Sequence, residues 1–264
     1  MNFSDYRAIQ FRRDGKVLHA TFNRPETLNA IDPDLHLDLN RLYGDVADDA
    51  ATHVMVVTGA GRAFSAGGNI DQMQKLIDHP ELFAADMGIA KRLIHSMLDC
   101  PKPVIAKVNG HAMGLGATLA LFSDIIIAAS HAKIGDPHVS VGYVAGDGGA
   151  AIWPQLIGYA RAKQYLLTGD PLTAEEAAKI GLINRAVPAE QLDQVVDEFA
   201  QRLANGAAKA IQWTKLSINL GLRQVVNAVL DTSMAYEALS NYTKDHAEAV
   251  AAFREKRPPR FTGE

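Results

Sequence analysis

Apolar positions along the chain follow two different periods. Residues 9–11 and 17–22 are short strand-forming runs on either side of the turn dipeptide Asp14-Gly15, which predicts a pair of strands. Residues 54–57, 104–108 and 125–129 are short, nearly continuous apolar runs, the pattern of strands covered on both faces. Between these runs the spacing turns helical, over 35–49, over a region reaching roughly residue 97, and over a small-residue segment from 115 to 122. Strands alternating with helices predict an α/β fold built on a parallel sheet with crossover connections. The segment 59–68 reads as a loop. From about Thr173 the pattern becomes almost wholly helical: Thr173-Ala174-Glu175-Glu176 has the form of a capping box, and 192–203 and 207–220 are amphipathic. The division expected is an α/β core over 1–195 and a helical region over 196–264, with no low-complexity linker between them.

Composition adds exclusions. The 264 residues suffice for one large domain with a helical appendage, and 48% hydrophobic against 21% charged residues allows a sizeable core. The net charge of −4 and the lack of a dominant basic patch argue against a nucleic-acid partner. No run is long and apolar enough to cross a bilayer, and the first residues carry no apolar export signal. The single cysteine, Cys100, allows neither an internal disulfide nor a multi-cysteine metal site, which suits a reducing cytoplasm.

Two glycine-rich segments change the picture more. Arg62-Ala63-Phe64-Ser65-Ala66-Gly67-Gly68-Asn69-Ile70 and Asn109-Gly110-His111-Ala112-Met113-Gly114-Leu115-Gly116-Ala117 each follow a predicted buried strand and lead into a helix. Backbone N–H groups at helix starts have no intrahelical acceptor. Two such groups converging would hold an oxyanion or enolate oxygen. Glycines there also serve simply for tight turns. Neither segment has the spacing of a Walker A or dinucleotide-binding motif.

Taken together, the motifs resemble the crotonase (enoyl-CoA hydratase/isomerase) superfamily over nearly the whole chain. Asn23-Arg24-Pro25-Glu26-Thr27-Leu28-Asn29-Ala30 is similar to that family's early motif, and the two glycine segments to its oxyanion loops. Ser123-Asp124-Ile125-Ile126-Ile127-Ala128, Leu167-Thr168-Gly169-Asp170 and the closing 253–261 follow in family order. The resemblance implies a ββα superhelix with a C-terminal helical region used in trimer assembly, as a homotrimer or a hexamer made of two trimers. It implies an acyl-CoA thioester as substrate, CoA entering only as part of it, with no other cofactor and no metal. The thioester oxygen would be held by the N–H groups of Gly68 and Leu115. Ala66, Asn69, Ile70 and Asp71 would lie along the CoA arm, Arg24 and Arg62 at its phosphates, and Phe253 and Lys256 over it.

The chain departs from the family where hydration is usually performed. Thr118 and His138 stand at the two positions that carry glutamates in family hydratases. Threonine can hydrogen-bond a water but cannot act as a base at neutral pH. Histidine titrates near neutrality, and an aspartate on its ring would fix its tautomer. His138 and Asp147 therefore form a candidate base, with Asp136 as a nearby substitute for Asp147 and Thr118 as a water-orienting group. The stretch from Asp136 to Pro154 resembles the β-diketone hydrolase branch of the superfamily, in which such a pair cleaves a C–C bond with water. His111 would line the pocket or occupy a turn. Trp153 and Tyr143 would wall an acyl pocket or sit in the core. Three functions follow: water addition to an acyl-CoA, by hydration or by C–C hydrolysis; double-bond isomerisation by Asp147 or His138 alone; and acyl-CoA binding without catalysis.

Overall fold

The computed structural model describes residues 3–264, and the side chains of all of these except 84–86. β1 (Ile9–Asp14) and β2 (Val17–Phe22) pair antiparallel up to Asp14↔Val17, with Gly15 in the left-handed conformation the tight turn needs. α1 (Pro33–Asp48) then starts with Pro33 in its first turn and Asp32 as N-cap, whose carboxylate accepts the Leu35 N–H.

Three successive turns of one plan follow. Each gives one strand to a first sheet, one short strand to a second sheet, and then a helix. The first turn is β3 (Val54–Gly59), β4 (Ala63–Ser65) and the helices α2 (Ile70–Asp78) and α3 (Glu81–Asp99). The second is β5 (Val104–Val108), β6 (His111–Met113) and α4 (Leu115–Leu121). The third is β7 (Ile125–Ala129), β8 (Lys133–Gly135) and α5 (Gly149–Thr168), which kinks at Gly158. β9 (Leu172–Thr173), α6 (Ala174–Lys179) and β10 (Arg185–Val187) complete the sheets, whose orders are β1-β2-β3-β5-β7-β10 and β4-β6-β8-β9. This is the ββα superhelix that the resemblance implies.

Three expectations need correction. The large sheet is mixed, because β1 runs antiparallel to β2 while the remaining pairs are parallel. The segment 59–68 is not all loop, since it holds β4; three residues are too few to show a period. The chain after Thr173 is not wholly helical, because β10 adds to the edge of the sheet beside β7, a pairing across more than fifty residues that no local pattern announces. The capping box is present as expected, with the Thr173 hydroxyl accepting the Glu176 N–H and the Glu176 carboxylate accepting the Thr173 N–H.

The central strands β2, β3, β5 and β7 are buried on both faces, and the alternation shows where each face goes. Met55 and Val57 of β3, with Ala106 and Ala128 beside them, face the main core with α1 and α3. Val54 and Val56, with Ile105 and Ile127, face Leu192, Val196, Ala200 and Ala204 of α7 (Leu192–Ala204). Residue 195, where the sequence suggests a boundary, lies inside α7. α8 (Ala208–Ser240) is one helix of 33 residues, extending well past residue 220, and it packs across α3 and α5. α9 (Lys244–Arg254) packs on α2 and on the short 3₁₀ turn His138–Val141. Among the described residues, no helix is long and apolar enough to cross a membrane.

Phe64 of β4 is fully buried and meets Phe22 edge-on, with ring centroids 5.3 Å apart. Phe64→Ala removes a buried ring at the seam between the two sheets. It is expected to lower stability by about 3–5 kcal/mol, read as a fall in the urea midpoint.

Candidate active site

The two glycine loops leave β4 and β6, neighbouring strands of the small sheet, so they emerge side by side. Their backbones come very close: a Cβ on Gly67 would lie 2.5 Å from the Met113 carbonyl oxygen, and Gly67 has φ +84. Only glycine allows this contact. Gly68 and Leu115 follow immediately, and both line the same cleft. The Leu115 N–H is the first of α4, a position without an intrahelical acceptor. The expected oxyanion pair is thus brought to one wall.

His138 stands on the adjoining wall. It opens the 3₁₀ turn after β8, and its ring lies against Gly114, where an added Cβ would meet Cε1 at 3.4 Å. Asp136 and Asp147 flank the ring on opposite sides. The Asp136 carboxylate bonds Nδ1 (both groups are buried), and Asp147 Oδ2 lies 3.4 Å from Nε2. The expected His138–Asp147 pair is present, but its roles change. Asp136, not Asp147, holds Nδ1 and so orients the ring. Asp147 shares the cleft side with Nε2. Thr118 is fully buried, donates its hydroxyl to Asp147 Oδ1 at 3.3 Å, and lines neither cleft. Its hydroxyl is directed at Asp147.

Burial by itself would depress the imidazole's proton affinity. The charges of Asp136 and Asp147, and hydrogen bonds to both, outweigh it and hold His138 well above the ordinary histidine range. The ring thus lies between two acidic side chains that favour its protonated form. One donor atom from each of the three residues lies within 4.8 Å of the others. Such a trio could hold a cation only with a ring nitrogen free of its proton.

A residue the sequence reading missed completes the site. Glu237 of α8 lines the cleft with His138 and Asp147 and is buried. Desolvation first, and then the Asp147 charge, push its carboxyl up to about 8, with His138 opposing and Asp136 adding. It stays protonated at neutral pH. A signal for it exists in the sequence: Val226, Leu230, Met234 and Glu237 share the buried stripe of α8, and an acid on such a stripe is out of place.

Two clefts meet at this point. The first has a cavity volume of about 150 Å³ and is walled by Leu76, Phe83, Met87, Met234 and Tyr143 besides the polar groups above. The second runs past Ala66, Asn69, Ile70 and Phe253, and the two share Gly68, Asn69, Met73 and His138. The other sequence candidates lie elsewhere. Arg24 is paired with Asp32 and Asp34 at the start of α1, and Asp71 with Arg254; neither lines a cleft, nor do Arg62 and Lys256. His111 is exposed on β6 and accepts the Lys133 N–H. Trp153 is wholly buried in the core, whereas Tyr143 walls the first cleft.

Comparison with known proteins identifies the family and the fold. Residues 12–264 match the family described as Enoyl-CoA hydratase/isomerase. The chain is 34% identical to a crotonyl-CoA hydratase of Syntrophomonas wolfei, over 97% of this chain and 98% of that protein. It is 35% identical to the 1,2-epoxyphenylacetyl-CoA isomerase of Escherichia coli, over 94% and 95%. It superimposes on the crystal structure of an enoyl-CoA hydratase/isomerase from Mycobacterium paratuberculosis with a TM-score of 0.90 and 37% identity, covering 94% of this chain and 99% of that one.

Because its folded value is raised, Glu237 favours the folded state fully below the ordinary glutamate value, and that contribution is lost as pH rises toward about 8. Infrared difference spectra are expected to show a protonated carboxyl band at pH 6.5 that disappears through about pH 8 and is absent in Glu237→Gln.

Proposed function

This chain belongs to the enoyl-CoA hydratase/isomerase family and is an acyl-CoA enzyme, and from that premise we propose that it adds water to the β-carbon of an acyl-CoA thioester. One observation carries the reading: Gly68, Leu115, His138, Asp147 and Glu237 face a single cleft. The thioester oxygen would be held by the N–H groups of Gly68 and Leu115, the acyl group would enter the apolar cleft, and the CoA arm would follow the second cleft beneath Phe253.

On an enoyl thioester, water attack at Cβ would drive an electron pair toward Cα and the thioester oxygen, and the two N–H donors would stabilise the enolate. The water's proton passes to the Asp136–His138–Asp147 cluster. Two carboxylates around one imidazolium carry one net negative charge, so the cluster takes up one proton without building charge in a buried site. With a double bond between Cα and Cβ, the Glu237 carboxylic acid protonates Cα and the product is a β-hydroxyacyl-CoA. With a ketone at Cβ, water attack instead sends the C=O π pair to the ketone oxygen; the tetrahedral alkoxide collapses, the Cα–Cβ bond breaks, and the same thioester enolate leaves. Glu237 protonates it, giving a carboxylic acid and a shortened acyl-CoA. The β-keto route makes fuller use of a His–Asp base, because the enolate is the leaving group. No metal or further cofactor takes part.

A second reading has its own support. Asp147 and Glu237 are two carboxyl groups on one cleft, one held against an imidazolium and the other protonated. Such a pair would also shift a double bond, one group removing a proton and the other returning one at a different carbon.

We place the protein in the cytoplasm as a trimer or a dimer of trimers joined through its C-terminal helices. Trp213, Ile218, Leu220, Tyr236 and Leu239 of α8 are exposed apolar residues that such contacts would cover. Light scattering is expected to give three or six chains per particle, and a single-chain mass would sink the assembly.

Turnover of enoyl-CoA and β-keto acyl-CoA panels in heavy-oxygen water separates the routes. Hydration places the label in a hydroxyl, C–C hydrolysis places it in a carboxylic acid, and isomerisation incorporates solvent deuterium but no oxygen. His138→Ala and Asp147→Asn are each expected to lower kcat/KM by about 10²–10⁴-fold. Unchanged rates in both variants would dismiss the cluster as the base, and CoA binding with no turnover across the panels would favour a binding protein.

A further inference from the structure

His246 lies three residues into α9, more than a hundred residues from His138 in sequence, yet it is tied to the turn that carries His138. The ring is completely buried, and its Nδ1 lies 2.6 Å from the Val141 carbonyl, the last residue of that turn. A carbonyl only accepts, so Nδ1 carries the proton and donates it. Burial holds the ring below the ordinary histidine range and hence neutral. Nε2 is buried without a hydrogen-bond partner, so Nδ1 is the ring's only polar attachment.

The same ring stacks on Tyr143, with centroids 3.7 Å apart and planes 15° from parallel. The Tyr143 N–H donates to the His138 carbonyl at 2.9 Å, closing the turn. Its hydroxyl donates to Asn241 Oδ1 at 2.6 Å, and Asn241 Nδ2 donates in turn to the Leu76 carbonyl on α2. Gly142, at φ +71, lets the turn pass directly over α9; an added Cβ would lie 2.8 Å from His246 Cα. The turn is therefore gripped at three points: Val141 by His246, the Tyr143 ring by the same imidazole, and the Tyr143 hydroxyl by Asn241. Leu76 and Tyr143 both wall the cleft that His138 faces.

We propose that His246 and Asn241 are positioning residues, which lock the 138–143 turn and the Tyr143 ring into one rigid wall and thereby fix His138 against the substrate. The proposal rests on the reading of His138 as part of the base. Its physical content is that the Nδ1–H···O bond to Val141, more than the ring contact, sets where the turn sits. A displacement of that turn by about 1 Å would cost on the order of a hundredfold in rate.

Two variants separate the bond from the stack. His246→Phe keeps an aromatic ring against Tyr143 but has no donor. His246→Asn loses the ring, while its amide nitrogen takes the place of Nδ1 and still reaches Val141. The readouts are kcat and KM with the best substrate, and the imidazole ¹⁵N resonances of His138 in the whole protein. The expected result is a fall of about a hundredfold in kcat and displaced His138 resonances in the Phe variant. The Asn variant is expected to regain most of the rate and near-native resonances. Native kcat and resonances in His246→Phe would overturn the proposal, as would an Asn variant as impaired as the Phe variant. If no acyl thioester is turned over, the assignment of function fails, and the resonances alone still decide whether His246 positions His138.

Discussion

Three carboxyl groups, those of Asp136, Asp147 and Glu237, are buried around one imidazole, and they cannot all be charged at once. The site settles this repulsion in two ways. His138 takes a proton and stands between two of the acids, and Glu237 keeps its own proton up to about pH 8. A protonated carboxyl thus shares one cleft with His138 and Asp147, although neither of the usual glutamates stands at 118 or 138. Were any of the four groups removed, the charge balance of the others would change. Substitutions here are therefore expected to interact and not to add.

The scaffold serves this cluster by returning to the same place. Each superhelical turn ends a strand of the small sheet at one edge, so the loops after β4, β6 and β8 deliver Gly68, Leu115 and His138 to neighbouring positions. Backbone proximity alone holds the first two, which is why the close contact at Gly67 matters more than any side chain there. The helices supply what the loops cannot. α8 carries Glu237 to the cleft, its Ser233 hydroxyl donates to the Gly146 carbonyl beside Asp147, and α9 grips the turn beyond His138. The C-terminal helices are thus part of the cleft as well as of the fold.

Much of this was legible in the chain. The buried strands, the first hairpin and the capping box at Thr173 are local patterns, set by period, turn chemistry and short-range hydrogen bonds, and they stand where the pattern puts them. The glycine segments and the family resemblance pointed to Gly68, Leu115 and His138, which line one cleft, because these readings depend on residues close in sequence. The cationic candidates Arg24, Arg62 and Lys256 were less legible. A surface cation's partner depends on which carboxylates the fold brings near, and for Arg24 these are Asp32 and Asp34.

By itself, then, the sequence determined the alternation of elements, the two glycine turns and the replacement of the usual acids by Thr118 and His138. Only the tertiary structure decided which aspartate bonds Nδ1 of the imidazole, that the Thr118 hydroxyl meets Asp147, that Glu237 faces the cleft, and that Asn241 and His246 contact the stretch 141–143 beyond His138. The reason is physical. Propensity and capping act over a few residues. The proton affinity of a buried acid, and the partner of an imidazole nitrogen, depend on groups that come together only when segments a hundred residues apart pack against one another.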